Sequence, residues 1–311
     1  MEKKIYRAYL KLLKYENCPN FLQKYLNVPS LTRLKNIGYF CGMDFASKDI
    51  YNFQEYITRF DHSLTVALLT WHYTKDKVQT LAGLFHDVGT PVFSHVIDYM
   101  NKDYINQEST EEFTEEIIKK DKTLLKYLTE DDIDVESIIN FKNYSVVDNK
   151  RPKLCADRLD GIFLTSLYWT KTLNISEIEE ILKDSFITTN EEGMEEIAFA
   201  NIDIAKKVLE NNIKMDEYCH SKEDNYMMEL LAKITSYLIT NNHITYKELF
   251  IKTEDEMFKI IESIDDELLQ EDYKKFKYIK KNEIDTSYNL DIKIRDLNPL
   301  VKNKRLKNII E

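Results

Sequence analysis

Hydrophobic residues recur three and four positions apart along most of the chain, with polar links between the segments. Positions at this spacing share one face of a helix, so the pattern predicts amphipathic helices. Ser109 and Glu112 have the spacing of a capping box at the start of one of them. The predicted helices cover 6–15, 30–40, 59–73, 77–86, 94–100, 110–119, 133–140, 152–171, 176–184, 194–216, 224–240, 245–250 and 253–263. The predicted fold class is therefore mainly α, a bundle of many helices.

Beyond residue 274 the pattern changes to an alternation of apolar and charged residues. The segments YIKK (278–281) and LDIKIRDL (290–297) alternate as β-strands do. We therefore expect a small C-terminal β element of two strands. The polar segment HSKEDN (220–225) interrupts two helices. It predicts a soft boundary between a core domain over 1–220 and a helical extension with short strands over 221–311.

The composition supports a soluble, helical protein. Six Gly and five Pro in 311 residues are few for sheets and Gly-rich loops. No apolar run reaches the length of a membrane span, so we expect no membrane association. Four cysteines without a Cys-x-x-Cys motif, and no signal-peptide pattern, predict free thiols and a cytoplasmic location.

The net charge of −11 is spread along the chain and argues against a nucleic-acid partner. It does not exclude an anionic small substrate, because a divalent metal or a few arginines reverse the local field. The oligomeric state, including a homo-oligomer, is left open by the sequence.

Two histidines and two aspartates stand on or at the ends of apolar helical segments. They are His62 in FDHSLTV, His86 and Asp87 in GLFHDVG, and Asp157 in CADRLDG. A buried imidazole or carboxylate must find a partner or it destabilises the fold. One divalent metal ion would satisfy all four, and such ligands suit Mn, Fe, Co, Ni or Zn. Alternatively, each is an isolated core or capping residue with its own hydrogen bonds.

The order H…HD…D, with the His-Asp pair at a helix end, resembles the HD-domain metal-dependent phosphohydrolases. The chain is most similar to the branch of the deoxynucleoside triphosphate triphosphohydrolases. Three stretches carry that similarity, VPSLTRLKNIGYFCG (28–42), TRFDHSLTVA (58–67) and PVFSHVIDYM (91–100). The resemblance covers 29–165 and implies an HD-domain helical bundle. It also implies one divalent metal ion, whose identity among Mn, Fe, Ni, Co, Zn and Mg is open, with the ligands His62, His86, Asp87 and Asp157.

The same resemblance implies the roles of further residues. Arg59, one helical turn before His62, matches an arginine that meets substrate phosphate. His95 matches an active-site histidine that contacts phosphate or transfers a proton. Glu108 is a second candidate for proton transfer, and Lys153 a second candidate for phosphate binding.

Outside the metal ligands the chain departs from the enzymes that it resembles. Thr90 stands where they carry a second histidine. Gln107 stands where they carry the histidine of a His-Glu pair, of which Glu108 remains. Gly161 and Thr165 stand where they carry a Tyr and an Asp that hold the nucleotide. We therefore expect an unchanged metal shell and altered nucleotide contacts.

Three residues are expected around the ligands and the catalytic groups, Thr90, Gln107 and Asp160. Gln107 could only form hydrogen bonds. Asp160 follows Asp157 by three positions and either orients a ligand histidine or pairs with Arg158.

The leading hypothesis is a cytoplasmic metal-dependent phosphohydrolase. It would cleave a phosphoester of a nucleotide or a related phosphometabolite through a metal-activated water. The alternative is a nucleotide sensor or regulatory protein that keeps the fold and has lost turnover, which the changes at Thr90 and Gln107 motivate. A two-iron oxygenase is disfavoured, because the sequence offers no further cluster of histidine ligands.

Overall fold

The computed structural model describes residues 3–107, 109, 111–285 and 290–310, and it is mainly α-helical, as predicted. Within these residues the α-helices are α1 (Lys4–Leu12), α2 (Asn20–Tyr25), α3 (Pro29–Thr32), α4 (Arg59–Thr74), α5 (Lys77–Phe85), α6 (Val96–Met100), α7 (Thr114–Lys120), α8 (Lys122–Glu130), α9 (Val135–Ile139), α10 (Ala156–Tyr168), α11 (Ile175–Asp184), α12 (Ile202–Cys219), α13 (Lys222–Thr240), α14 (Glu254–Ser263), α15 (Glu267–Tyr278) and α16 (Lys307–Ile310). The strands are β1 (Ser185–Thr189), β2 (Glu195–Phe199), β3 (Leu300–Val301) and β4 (Lys304–Arg305).

Helices α4, α5 and α10 form the centre of the bundle, and α4 packs against both of the others. Its interior positions are buried around the whole helix, including Leu64, Ala67 and Leu68. A helix that is buried on all sides, here with polar residues such as Asp61 and Thr65 among the buried ones, belongs in a core. Most apolar side chains of the three helices join one buried cluster that extends from Tyr6 to Leu306, and Ala82 of α5 packs in a smaller one with Phe141 and Val147.

Several predicted helix boundaries were wrong. The helix predicted over 194–216 begins only at Ile202, because Asn201 caps α12 and the residues before it form β2. The helix predicted over 110–119 begins at Thr114. The Ser109 amide donates to Asp98 (2.9 Å) and does not lie at the start of that helix. Helices α8 and α15 were not predicted.

The C-terminal strands are not the predicted ones. Residues 290–297 run without strand pairing, and Tyr278 is the last residue of α15. Instead, β3 and β4 complete a sheet of order β1-β2-β3-β4 in the described part of the chain. The β1–β2 and β3–β4 pairs are antiparallel, whereas β2 and β3 are parallel. The chain after residue 290 thus returns to strands from its middle, and the domain boundary near 220 stays a prediction.

The four cysteines are free thiols, as expected. Among the described residues, no helix has both the length and the apolar composition to cross a bilayer.

Candidate metal centre

Helix α4 positions the first imidazole of the site. Its first turn is held by a capping box, in which Thr58 accepts from the Asp61 amide and Asp61 accepts from the Thr58 amide. This start places Arg59 and His62 one turn apart on the same face. Both side chains are buried and line one cavity.

Both ring nitrogens of His62 face carboxylates. Nδ1 lies 2.7 Å from Asp160 Oδ2, and Nε2 lies 3.0 Å from Asp157 Oδ1. Burial opposes protonation, but the hydrogen bonds to the two carboxylates outweigh it and raise the pKa of His62 to about 10. Asp160 is fully buried and also accepts from Tyr9 (2.6 Å) and Thr65 (2.8 Å). A buried carboxylate held in this way fixes the orientation of the ring.

The second imidazole comes from the end of α5. His86 Nδ1 donates to the Gly83 carbonyl (2.7 Å), which turns Nε2 toward His62. His86 Nε2 is buried and forms no hydrogen bond with any of the described residues. It lies 3.5 Å from Asp157 Oδ1 and 3.7 Å from Asp87 Oδ1. A buried ring nitrogen without a partner is costly unless another group occupies the space beside it.

Asp87 follows in the turn after α5 and faces Arg59. Its Oδ2 lies 3.1 Å from Arg59 Nη1 and 3.9 Å from His62 Nε2. Burial opposes ionisation of Asp87, but the charges of His86 and Arg59 lower its pKa to about 2. Arg59 is further held by Ser94 (3.2 Å) and by the face of the Tyr39 ring.

We call His62, His86, Asp87 and Asp157 the His–Asp cluster. Candidate ligand atoms of its first three members lie within 4.8 Å of one another, and Asp157 approaches both imidazoles. The cluster thus offers two nitrogen and two oxygen donors, one of them the His86 Nε2. This donor set fits a divalent ion of the first transition row or zinc. Asp148, Cys155 and Asp157 form a second group of possible ligands within the same distance limit. The sequence predicted the four members of the cluster but not Asp148.

His95 lines the same cavity as the cluster. Its Nδ1 lies 2.9 Å from Asp98 Oδ2, and Asp98 is fully buried. This contact orients the ring, leaving Nε2 on the other side of the imidazole. Glu108, the other residue predicted to transfer protons, lies outside the described residues.

The positions that depart from the resembled enzymes differ in their placement. Gln107 lines the cavity and accepts from Arg295 Nη2 (3.3 Å). Thr90 is fully buried and is not a lining residue; its carbonyl accepts from Arg33, and its hydroxyl has no partner. Gly161 lines the cavity where a larger side chain would narrow it.

The cavity has a volume of about 560 Å³, a size typical of small-ligand sites. Besides Arg59, six further Lys and Arg side chains of the described residues line it, Lys142, Lys150, Arg151, Arg158, Lys293 and Arg295. The predicted Lys153 is not among them, because its ammonium pairs with Glu192 (2.6 Å). Its predicted phosphate contact therefore has no support from its position.

Arg151, Lys293 and Arg295 form what we call the cation wall. None of the three forms an ion pair with a described residue, since no carboxylate oxygen of those residues lies within 4.0 Å of their nitrogen atoms. Burial and the charge of Arg158 lower the pKa of Arg151 to about 10. Grouped cations that form no close ion pair favour an anionic ligand, although the charges of Asp216 and Asp224 also act on Arg295. Sequence reasoning missed this wall, because the alternating charges of 290–297 were interpreted as a strand.

Comparison with known proteins agrees with this location of the site. Residues 59–163 match a family model described as "HD domain". This range contains Arg59, His95 and the whole His–Asp cluster. The protein named "Uncharacterized protein YdhJ" of Bacillus subtilis (strain 168) is 29% identical over 173 residues. The aligned region is 54% of this chain and 50% of that protein, so it spans about half the length of the relative.

Proposed function

We propose that the protein is a metal-dependent phosphohydrolase that cleaves a phosphoester of a nucleotide or a related phosphometabolite. The HD domain supports this class, since HD domains are typically metal-dependent hydrolases. The observation that carries the proposal is that the His62 ring and the carboxylates of Asp87 and Asp157 converge on His86 Nε2, which forms no hydrogen bond with the described residues. The similarity to the deoxynucleoside triphosphate triphosphohydrolases supports a nucleotide as substrate.

His62, His86, Asp87 and Asp157 would hold the ion. When bound, a divalent ion lowers the pKa of a water molecule and polarises a phosphoryl oxygen. The protein contributes the orientation of the donors: Asp160 holds the His62 ring, and the Gly83 carbonyl holds the His86 ring. Second contacts of this kind raise the affinity of a site for its metal.

The other lining residues supply charge neutralisation and proton transfer. Arg59 borders both Asp87 and the cavity, so its guanidinium can bind a phosphoryl oxygen beside the cluster. The cation wall offers further contacts for phosphate. His95, oriented by Asp98, is the candidate to protonate the leaving oxygen at its Nε2.

An assay of phosphate release tests the proposal. The full chain, freed of metal and then supplied separately with Mn, Co, Ni, Zn, Fe or Mg, is incubated with nucleoside mono-, di- and triphosphates and with cyclic nucleotides. We expect turnover with at least one ion, and a loss of at least about a hundredfold in His86→Ala and in Asp157→Asn. His72→Gln is the matched control, because His72 is exposed on α4 and is not among the residues that line this cavity; it should keep the activity of the parent.

The regulatory alternative predicts a different result in this assay. Tight nucleotide binding without turnover under every ion would favour a sensor that has lost catalysis. Activity that is equal in the parent and in His86→Ala would contradict a role of the cluster in hydrolysis.

A further inference from the structure

One compartment of the cavity is walled by aromatic rings, and we call Phe40, Tyr51, Phe53 and Trp169 the aromatic compartment. Phe40 stacks on Phe53 with ring centres 4.2 Å apart, and Tyr51 lies 6.1 Å from Trp169. All four rings line the cavity, together with Met215 and Met228. Such walls suit a flat aromatic ligand.

Rings also connect this compartment to the His–Asp cluster. The Tyr39 ring lies 5.0 Å from that of His62 and 5.1 Å from that of Phe40. A ligand with its phosphate at the cluster can therefore extend past Tyr39 and place a ring in the aromatic compartment.

The carboxylate of Asp224, at the start of α13, also lines the cavity and contacts a ring of this compartment. Asp224 Oδ1 accepts from the Tyr51 hydroxyl (2.6 Å). Asp224 has no ion pair within 4.0 Å among the described residues. No hydrogen bond to its Oδ2 is formed among the described residues, and Asp224 is one of the residues that line the cavity. The residue as a whole is 8% exposed, and an acceptor in such a place requires a donor from the ligand.

The chemistry of a carboxylate limits which ring can fill the compartment. An ionised carboxylate only accepts hydrogen bonds. Guanine presents two neighbouring donors on one edge, its N1–H and its exocyclic amine, and these match the two oxygens. The donors of adenine, cytosine and uracil each lie beside an acceptor, which would face the carboxylate without a partner.

We infer that the aromatic compartment binds a guanine ring and that Asp224 is the residue that selects it. The inference rests on the proposed function, because it names the base of the nucleotide substrate. Tyr51 is a positioning residue, since its hydroxyl holds the carboxylate without contacting the ligand edge.

Isothermal titration in EDTA measures this selection without turnover. The probes are guanosine, inosine and adenosine monophosphates, added to the full chain. Inosine lacks only the exocyclic amine of guanosine. Because burial raises the pKa of Asp224 to about 7, the buffer is set to about pH 8.5, where the carboxylate is ionised. We expect the affinity to fall from guanosine to inosine to adenosine, with about tenfold or more between the first and the last.

Three variants complete the experiment. Asp224→Asn should weaken guanosine binding about tenfold and reduce the preference over adenosine, because an amide cannot accept two hydrogen bonds from adjacent donors at both of its ends. Asp203→Asn, at an exposed position of α12, should bind as the parent does. Tyr51→Phe should weaken guanosine binding less than Asp224→Asn does. Thermal unfolding verifies that each variant is folded.

The outcomes separate this inference from the proposed function. Equal affinities for the three monophosphates, no binding of any of them, or an Asp224→Asn variant that binds as the parent does, would overturn the inference and leave the hydrolase assay to decide the function. A preference for guanosine that depends on Asp224, without phosphate release under any ion, would support the inference and contradict the hydrolase.

Discussion

At the scale of single residues, buried polar groups without hydrogen-bond partners indicate either a functional site or a position where burial destabilises the charged form of a side chain. His86 Nε2 is such a group within the His–Asp cluster. A second case lies beside Gly38, where Asp44 Oδ2 and Glu254 Oε1 are buried without hydrogen-bond partners. A Cβ at Gly38 would lie 3.0 Å from oxygens of both carboxyl groups, so a larger residue there would force these side chains to shift.

This carboxyl pair predicts how stability changes with pH. Burial raises the pKa of Asp44 to about 7, and burial with the charge of Asp44 raises that of Glu254 to about 8. The folded state therefore holds more protons than the unfolded state between about pH 5 and pH 8, so the contribution of the pair to stability falls as the pH rises through this window.

Glu254→Gln removes one ionisable group of the pair and should flatten this dependence. Urea unfolding at about pH 5 and about pH 9 measures the free energy of unfolding. We expect the loss between the two pH values to be smaller in the variant than in the parent by more than about 1 kcal/mol, since one pKa unit corresponds to about 1.4 kcal/mol. Glu267→Gln, exposed on α15, is the control and should follow the parent. An identical loss in Glu254→Gln and the parent would show that the buried pair does not control the pH dependence.

At the scale of elements, the central helices could be predicted closely, whereas the antiparallel pair of strands β1 and β2 could not. Helices α4 and α5 begin at the predicted residues, because apolar periodicity and capping residues both act locally. Strands β1 and β2 were missed because the apolar residues of β2 continue in helical spacing into α12. The sequence feature that could have indicated these strands is the turn between them. In this turn Asn190 accepts a hydrogen bond from the Glu192 amide, and Gly193 has φ 79°.

The capping box of α4 connects helix stability to the site. Thr58→Ala removes the side-chain cap and should lower the free energy of unfolding by about 1 kcal/mol. The same change should weaken metal binding, because α4 starts at Arg59 and carries His62 in its first turn. Thr253→Ala removes a matching capping box at α14. Thr253→Ala should lower the free energy of unfolding by a similar amount and leave the metal affinity unchanged. Titration calorimetry measures the metal affinities. Equal metal affinities in the two variants would contradict a link between the cap of α4 and the metal site.

At the scale of the whole molecule, contacts between distant segments decide what the sequence could not reveal. Glu196 on β2 is fully buried and is held by Arg305 on β4 (2.6 Å) and by the Leu154 amide (3.1 Å). These contacts bring the end of the chain beside the segment that leads into α10. The preceding residues 290–299 then pass along the cavity and supply Lys293 and Arg295.

The candidate metal ligands, in contrast, could be identified from the sequence because their spacing and flanking residues form a pattern. His62, His86 and Asp87 come from neighbouring helices, so their proximity follows from the packing of α4 against α5. The cation wall and Asp224 come from separate parts of the chain that only the tertiary fold unites. No local periodicity in the sequence indicates that these segments lie together. The sequence analysis therefore selected Lys153 and missed the cation wall and Asp224.

The most direct test of the account is the metal content of the purified full chain. Elemental analysis after equilibration with Mn, Fe, Co, Ni or Zn and removal of free ions should find about one tightly bound ion per chain for at least one metal. Combining His86→Ala with Asp157→Asn should abolish that binding, since two of four donors are lost. A parent chain that retains no ion under any of these conditions, or a double variant that retains as much as the parent, would contradict a metal centre at the His–Asp cluster.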